Sequence, residues 1–304
     1  MKVSKIKKGL RNPNLAIRKL WQASTRLIKD DKLYLSVIHR LSHGEKMDWE
    51  HPRTFNEKTQ WLKLWSKGKG FEKYVDKYEI RKYVAQTIGE EYLIPLLGVW
   101  DSYDDIEFDR LPKEYVLKTT HDSGGVVIVK GKVPDHARKF LSKRLRKNYF
   151  YGDREYPYKN VKPRIIAEKL MVDESGWDLK DYKFFCFNGE PKILFLASER
   201  FKAKGEKAKF DYFDMNLRRL PFSSLGHHSA YQAGEQHDPI PGFEEMVNLA
   251  RKLSQGFPFI RVDFYDVNGK IYFGELTFFH DAGIVPFTPK EWDLKLGDMI
   301  ELPK

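Results

Sequence analysis

The sequence predicts an α+β fold with mostly antiparallel sheets, and three observations lead there. Apolar residues alternate at period two in paired segments joined by tight-turn residues, the mark of hairpins rather than of parallel crossovers. Between these hairpins lie stretches whose apolar residues recur three and four apart, as in helices. At 304 residues the chain can bury a large core and divide into two or three subdomains.

Residues 1–29 hold nine Lys and Arg and no acid, so of the net charge of +11 the remainder carries only about +2. By charge, then, the body is not a nucleic-acid binder. After Pro13-Asn14, the residues Ile17, Leu20, Trp21, Leu27 and Ile28 fall on one helical face, flanked or opposed by Arg18, Lys19, Arg26 and Lys29. A basic amphipathic helix of this kind suits a peripheral membrane contact, and its apolar stripe suits docking on the body equally well. A second helical pattern over residues 31 to 42 completes a basic helical arm, residues 1–53. Thr54-Phe-Asn-Glu57 is a capping box opening a helix with Trp61, Leu62 and Trp65. Asp76 to Ile88 predicts a further helix ended by Gly89, and the segment up to Trp100 a short, Pro-interrupted edge strand. With the acidic loop Asp101 to Asp109 these form an N-terminal helical and α+β region, residues 54–110.

Tyr115 to Thr119 and Gly125 to Val129 read as strands around a glycine-rich loop, HDSGG. A basic helix over Pro134 to Asn148 and a strand over Arg164 to Met171 complete a small subdomain, residues 111–172. Residues 173–304 form a second one. It opens on a hairpin, Asp181 to Ala197, around Asn188-Gly189. A polar, loop-like stretch follows over residues 199 to 240, holding His227, His228 and His237 without a convincing zinc spacing. Glu244 to Ser254 is a helix stopped at Gly256. Cys186, the one cysteine, excludes an intramolecular disulfide and reads as a buried inert thiol. With no uncharged apolar run near 18 residues and no apolar core of a secretory signal, the expected compartment is the cytoplasm.

The last hairpin, Phe259 to Phe279, turns at Asn268-Gly269. A two-residue turn would send Asp263 and Glu275 to opposite faces. A three-residue loop with Gly269 as a bulge residue places Arg261, Asp263, Glu275 and Thr277 on one face and the apolar residues on the other. Burial of the apolar set favours the second arrangement. Two carboxylates on neighbouring strands repel unless a cation lies between them. Mg²⁺ beside a phosphate would serve, and so would Arg261 on a solvated face. The HDSGG loop lacks the P-loop pattern but can bring backbone N–H groups up to phosphate oxygens. Lys118 stands in an otherwise apolar strand, where it needs an anion unless the strand face is solvated. Glu168 closes an apolar strand and could receive adenine and ribose. Asp181 and Lys183 share a face and read by default as an ion pair, with Lys183 also among the cofactor-binding candidates. No Ser-His-Asp or Cys-His pattern is present.

In order, PRTFNEKTQWLKLW, DKYEIRKYV, YLIPLLGVWDS, YVLKTTHDSGG, IIAEKLM, DYKFFCFNGEPK and the RVDFY…GELTFF ending resemble the TupA-like branch of the ATP-grasp superfamily, from about Tyr34 to the C-terminus. The resemblance implies two α+β subdomains clasping ATP between their sheets. It implies Lys77 and Lys118 as nucleotide-phosphate lysines, and His121, Ser123, Gly124 and Gly125 as a flap over the phosphates. It further implies Glu168, Lys169 and Leu170 as the adenine and ribose hinge, and Asp263 and Glu275 as Mg²⁺ ligands. Where many members carry Asn as third ligand, this chain has Thr277, a weaker one. Asp281-Ala282-Gly283 would face the reacting carboxyl group. The activity implied is an ATP- and Mg²⁺-dependent carboxylate–amine ligase, with Lys118 holding the γ-phosphoryl and Arg261 stabilising the tetrahedral oxyanion. Its acceptor would be a cell-surface polysaccharide or lipid-linked glycan precursor. A phosphotransferase on a sugar or small molecule, and a non-catalytic module associated with glycosyltransferases, are the rival readings.

Overall fold

The computed structural model describes residues 13–172, 179–199 and 207–304. Residues 1–12 of the expected basic arm lie outside them. Helix α1 (Pro13–Ala23) and helix α2 (Asp31–His43) form a hairpin of helices; Asp30 caps α2 by accepting from Leu33 N, and Gly44 ends it with φ 79°. Trp21 stacks on Tyr34 with ring centroids 6.2 Å apart, and Ile28 packs on the same cluster. The arm therefore docks on the body through its tryptophan side, while Ile17, Leu20 and Leu27 stay exposed. Helix α3 (Phe55–Trp65) carries the capping box with both of its bonds formed.

After α4 (Glu72–Val75), the expected helix over Asp76 to Ile88 is shorter: α5 runs from Ile80 to Thr87. The cause is local. Asp76 turns its own carboxylate onto Tyr78 N at 2.8 Å, an Asx turn that competes with a helical start. Lys77 N, meanwhile, donates to Thr120 O across the fold at 3.1 Å.

Strands β1 (Leu96–Trp100), β2 (Glu114–Thr119), β3 (Val126–Lys130) and β4 (Ile165–Lys169) form one antiparallel sheet in the order β1-β4-β2-β3. Helix α6 (Ala137–Leu145), shorter than its basic sequence suggested, covers one face through Leu141 against Leu117, Val129 and Ile165. Helix α7 (Phe150–Asp153) is a single turn before β4.

The second sheet has the order β10-β9-β5-β6-β7, again antiparallel throughout, from β5 (Asp181–Phe187), β6 (Glu190–Ser198), β7 (Lys209–Phe213), β9 (Phe259–Val267) and β10 (Lys270–Thr277). β7 corrects the loop-like reading of residues 199–240. Its polar flanks hide Phe210, Tyr212 and Phe213, which pair with the edge of β6 and build the aromatic core. A two-stranded ribbon of β8 (Ser223–Ser224) and β11 (Phe287–Thr288), with helices α8 (Phe243–Leu253) and α9 (Glu291–Asp298), completes this half. Cys186 is buried and free, as expected.

The last hairpin forms the expected shared face, but in another register and by another route. Asn268 and Gly269, with φ 56° and 81°, make a two-residue turn between paired Val267 and Lys270. The extra residue sits at Gly274 instead, where the register shifts between Phe273 and Glu275. Glu275 then pairs with Asp263 and Thr277 with Arg261. On the apolar side, Ile271 and Phe273 are buried before the bulge and Leu276 after it. A glycine suits the bulge because a Cβ there would lie 3.1 Å from Asp263 O.

Candidate active site

The two sheets face each other across a cleft of about 270 Å³. Lys77, Arg81, Lys118, Ser123, Gly124 and Glu168 line it from the first half, with Asp181, Lys183 and Glu275 from the second. Val75, Ile80, Leu93, Ile94, Tyr265, Phe273 and Leu276 add apolar wall. The lining is about as polar as apolar: three lysines, an arginine and three acids converge beside an apolar wall, a set suited to a small charged ligand.

On the first sheet, Lys118 Nζ donates to Glu168 Oε2 at 2.7 Å and Arg81 Nη1 to Oε1 at 3.2 Å. The anion that meets Lys118 here is thus Glu168, its cross-strand neighbour, which two cations hold at the cleft wall. Lys77 Nζ donates to Asp122 O at 2.5 Å, which ties the turn before α5 to the glycine loop. Burial lowers the Lys77 ammonium below its ordinary value, against Glu275 and Asp122, which favour its charge.

The loop itself divides in two. His121 is buried, its Nε2 between Arg144 O at 3.1 Å and Lys147 O at 3.2 Å, so it anchors the loop on α6 rather than entering the cleft. Asp122 is bound by Arg144 and by the Thr119 hydroxyl. Ser123 and Gly124 are the part that reaches the cleft. Gly125 lies at the base, where a Cβ would fall 1.6 Å from Thr119 Oγ1. Lys169, exposed, and Leu170 do not line the cleft either; Lys169 N donates to Pro95 O at 3.0 Å.

On the second sheet the expected face forms. Asp263, 1% exposed, receives Arg261 Nε on Oδ1 and Nη2 on Oδ2, both at 2.7 Å, and Lys183 Nζ on Oδ2 at 2.5 Å. Lys183 also pairs with Asp181 at 3.3 Å, the ion pair its position suggested. Arg261 Nη2 bridges to Glu275 Oε1 at 3.1 Å, and the Thr277 hydroxyl lies 3.4 Å from the same oxygen. Burial would raise the Asp263 carboxyl, but Arg261 and Lys183 outweigh it and hold the group below the ordinary carboxylate value. Burial opposes the charge on Arg261 as well, yet the facing Asp263 and Glu275 raise its pKa further.

This donor set fits Mg²⁺, which takes one or two carboxylates and fills its shell with waters and substrate phosphates. Glu275 offers an open carboxylate at the cleft, its side chain 45% exposed. Asp263 is a second, ionised carboxylate, but Arg261 and Lys183 occupy both its oxygens and it lies behind the cleft wall. It reaches a metal only if those cations shift; Thr277 adds a hydroxyl. Among the described residues no group of three or more His, Cys, Asp and Glu gathers as a metal cluster.

Beyond Arg261 the loop His280–Gly283 holds two non-glycine residues in the left-handed region, Asp281 at φ 47° and Ala282 at φ 53°. Such strain persists only where neighbours enforce it. Lys63 Nζ donates to Ala282 O at 2.7 Å, Gln60 Nε2 to Gly283 O at 2.8 Å, and His43 Nε2 lies 3.1 Å from Gly283 O. Lys63 is fully buried, which lowers its pKa, and burial near Asp153 and Glu275 raises neighbouring Glu155 to about 8 against the pull of Lys63. His280 Nδ1 faces Arg261 Nη1 at 3.1 Å, joining this loop to the hairpin.

Sequence reasoning missed several of these groups. Arg81 was legible, because it follows Lys77 by one helical turn in DKYEIRKYV. Tyr158, at the cleft, and Glu155 sit in YGDREYPYKN, which has no periodicity to mark them.

The family model described as TupA-like ATPgrasp matches residues 57–301. No curated protein matches the chain. Among solved structures, D-alanine–D-alanine ligase from Bacillus anthracis is similar at 15% identity, over 67% of this chain and 56% of that one, with a TM-score of 0.37. An ADP complex of purK, N5-carboxyaminoimidazole ribonucleotide synthetase, is similar at 15% identity over 82% and 56%, with a TM-score of 0.42. For D-alanine–D-alanine ligase from Helicobacter pylori the figures are 15%, 75% and 61%, with a TM-score of 0.38. The chain thus spans 56–61% of the length of these three proteins.

Proposed function

The chain belongs to the TupA-like ATP-grasp family, and from that premise we propose that it is an ATP-dependent carboxylate–amine ligase. One observation carries the reading. Lys77 in the turn before α5, Lys118 on the first sheet and Glu275 on the second line a single cleft, with Arg261 and Asp263 behind Glu275. Within it, Ser123 and Gly124 would lie over the phosphates and the apolar wall at Ile94, Tyr265 and Phe273 would receive the base. Asp263, Glu275 and Thr277 would hold Mg²⁺, which would offset the negative charge of the phosphates.

A substrate carboxylate oxygen attacks the γ-phosphorus, ADP leaves, and an acylphosphate forms. An amine then attacks the acyl carbon, phosphate departs with the bonding pair, and the ammonium proton is lost to give the amide. Lys118 orients the phosphoryl group for the first step. Arg261, pinned by Asp263, points a fixed cation at the oxyanion of the second, which needs no reorganisation as charge develops. A polysaccharide or lipid-linked glycan is the acceptor class that the sequence resemblance to the TupA-like branch implies. The test is incubation with ATP, Mg²⁺ and matched carboxylate and amine pools. An amide with one ADP per bond supports ligation, whereas a phosphorylated acceptor supports the phosphotransferase. Glu275→Gln abolishes turnover under this reading, and undiminished turnover by that variant rejects the site.

A further inference from the structure

Helix α1 and the turn after it leave a face that nothing among the described residues covers. Four of the eight large hydrophobic side chains exposed among the described residues lie between residues 17 and 33: Ile17, Leu20, Leu27 and Leu33. Leu20 is 72% and Leu27 85% exposed, although Trp21 and Ile28 beside them are docked on the body. Lys19, Arg26 and Lys29 are exposed within the same segment. Asp30 and Asp31, the nearest acids in sequence, are engaged, the first as the cap of α2 and the second with Arg154 at 2.9 Å, and Asp153, from α7, accepts from Gln22 Nε2 of α1 at 2.8 Å. Leucines in water beside basic residues cost solubility unless something apolar and anionic receives them.

We propose that this face docks on an anionic lipid bilayer, the leucines entering the headgroup boundary and the lysines and arginines meeting lipid phosphates. A second copy of the chain is a poor occupant, since residues 1–29 carry nine basic residues and no acid and two arms would repel. No helix among the described residues is long and apolar enough to cross a membrane, so the contact is peripheral. The face also borders the site. From the same helix, Arg18 Nη1 donates to Ile284 O at 3.3 Å, at the end of the strained loop beyond Arg261. Arg18 points to the body side of α1, so docking sets that loop one helix diameter, on the order of 10 Å, from the lipid surface. Resting on the ligase reading, this makes the acceptor a lipid-linked molecule.

Co-sedimentation of the full chain with vesicles tests the docking without any substrate. On phosphatidylcholine with about one third phosphatidylglycerol, partition exceeds that on pure phosphatidylcholine by about tenfold or more and falls with added salt. Leu20→Glu with Leu27→Glu lowers it by about tenfold or more, with ADP affinity unchanged. Lys19→Glu with Lys29→Glu, which alters only solvated side chains, does the same through charge. Equal partition on both vesicle types overturns the proposal, as does variant binding equal to wild type. A wild-type dimer that the leucine variant converts to monomer, with no vesicle binding, assigns the face to self-association and overturns it too. Because ligation does not enter the assay, a failure of the enzyme reading leaves this result standing.

Discussion

Asp263→Asn and Glu275→Gln, compared side by side, separate two acids that share one face of the hairpin. Asp263 is 1% exposed and receives two 2.7 Å bonds from Arg261 and one of 2.5 Å from Lys183. An amide in its place leaves two buried cations facing a neutral group. One-sided loss of a buried ion pair costs about 3–5 kcal/mol. Glu275 holds a 3.1 Å bond from Arg261 and a longer one of 3.4 Å from the Thr277 hydroxyl, and with its side chain 45% exposed, water replaces what the substitution removes. Its loss costs under about 1 kcal/mol. Equilibrium urea unfolding followed by tryptophan fluorescence reads the contrast. With a slope of about 1–3 kcal/mol/M, the Asp263→Asn midpoint drops by about 1 M or more and the Glu275→Gln midpoint stays within about 0.5 M. Both variants lose turnover. Equal shifts for the two, or a cost under about 1 kcal/mol for Asp263→Asn, would refute the buried-pair reasoning.

Other perturbations have equally definite outcomes. Gly125→Ala drives a Cβ to 1.6 Å from Thr119 Oγ1, so the loop must shift. Nucleotide affinity falls about tenfold or more by calorimetry, and limited proteolysis cuts between residues 121 and 126 faster than in wild type; unchanged cleavage and affinity would contradict this. Lys118→Met leaves Glu168 with Arg81 alone and removes one phosphate-facing cation. ADP affinity drops by about tenfold or more while the unfolding midpoint moves little, and an unaltered affinity would show that Lys118 only neutralises Glu168. His280 is buried against Arg261, and burial first, with Arg261 adding to it, lowers its pKa to about 4. As pH falls below about 6.5 the unfolded chain takes the proton first. The stability linked to His280 is full above that value and is lost progressively toward pH 4, about 3 kcal/mol in all. His280→Gln therefore flattens the pH dependence of unfolding between these limits, and an unchanged slope would sink the assignment.

Local pattern made much of this molecule legible. Both NG hairpins, the glycine loop between β2 and β3 and the capping box of α3 each depend on residues close in sequence, and each formed where expected. The shared face of Arg261, Asp263, Glu275 and Thr277 was legible too, but for the wrong reason. Burial demanded one extra residue in the hairpin, and nothing in the sequence said that Gly274 rather than the turn would supply it. What failed depended on distant partners. His121 looked like a flap residue until α6 offered it two carbonyls, and β7 looked like loop until the edge of β6 paired with it. Lys63, unmarked in its helix, earns its place only against Ala282 O, 219 residues away. Of the two readings of the arm, docking on the body holds for Trp21 and Ile28, while Ile17, Leu20 and Leu27 stay exposed.

The most direct measurement is a crystal structure of the protein with ADP and Mn²⁺ in place of Mg²⁺, the metal located by its anomalous signal. The account predicts one metal at about 2.1 Å from oxygens of Asp263 and Glu275, with phosphate oxygens completing its shell and lying within hydrogen-bond reach of Lys118 Nζ. A nucleotide bound outside the cleft, or a metal that touches neither acid, would contradict it.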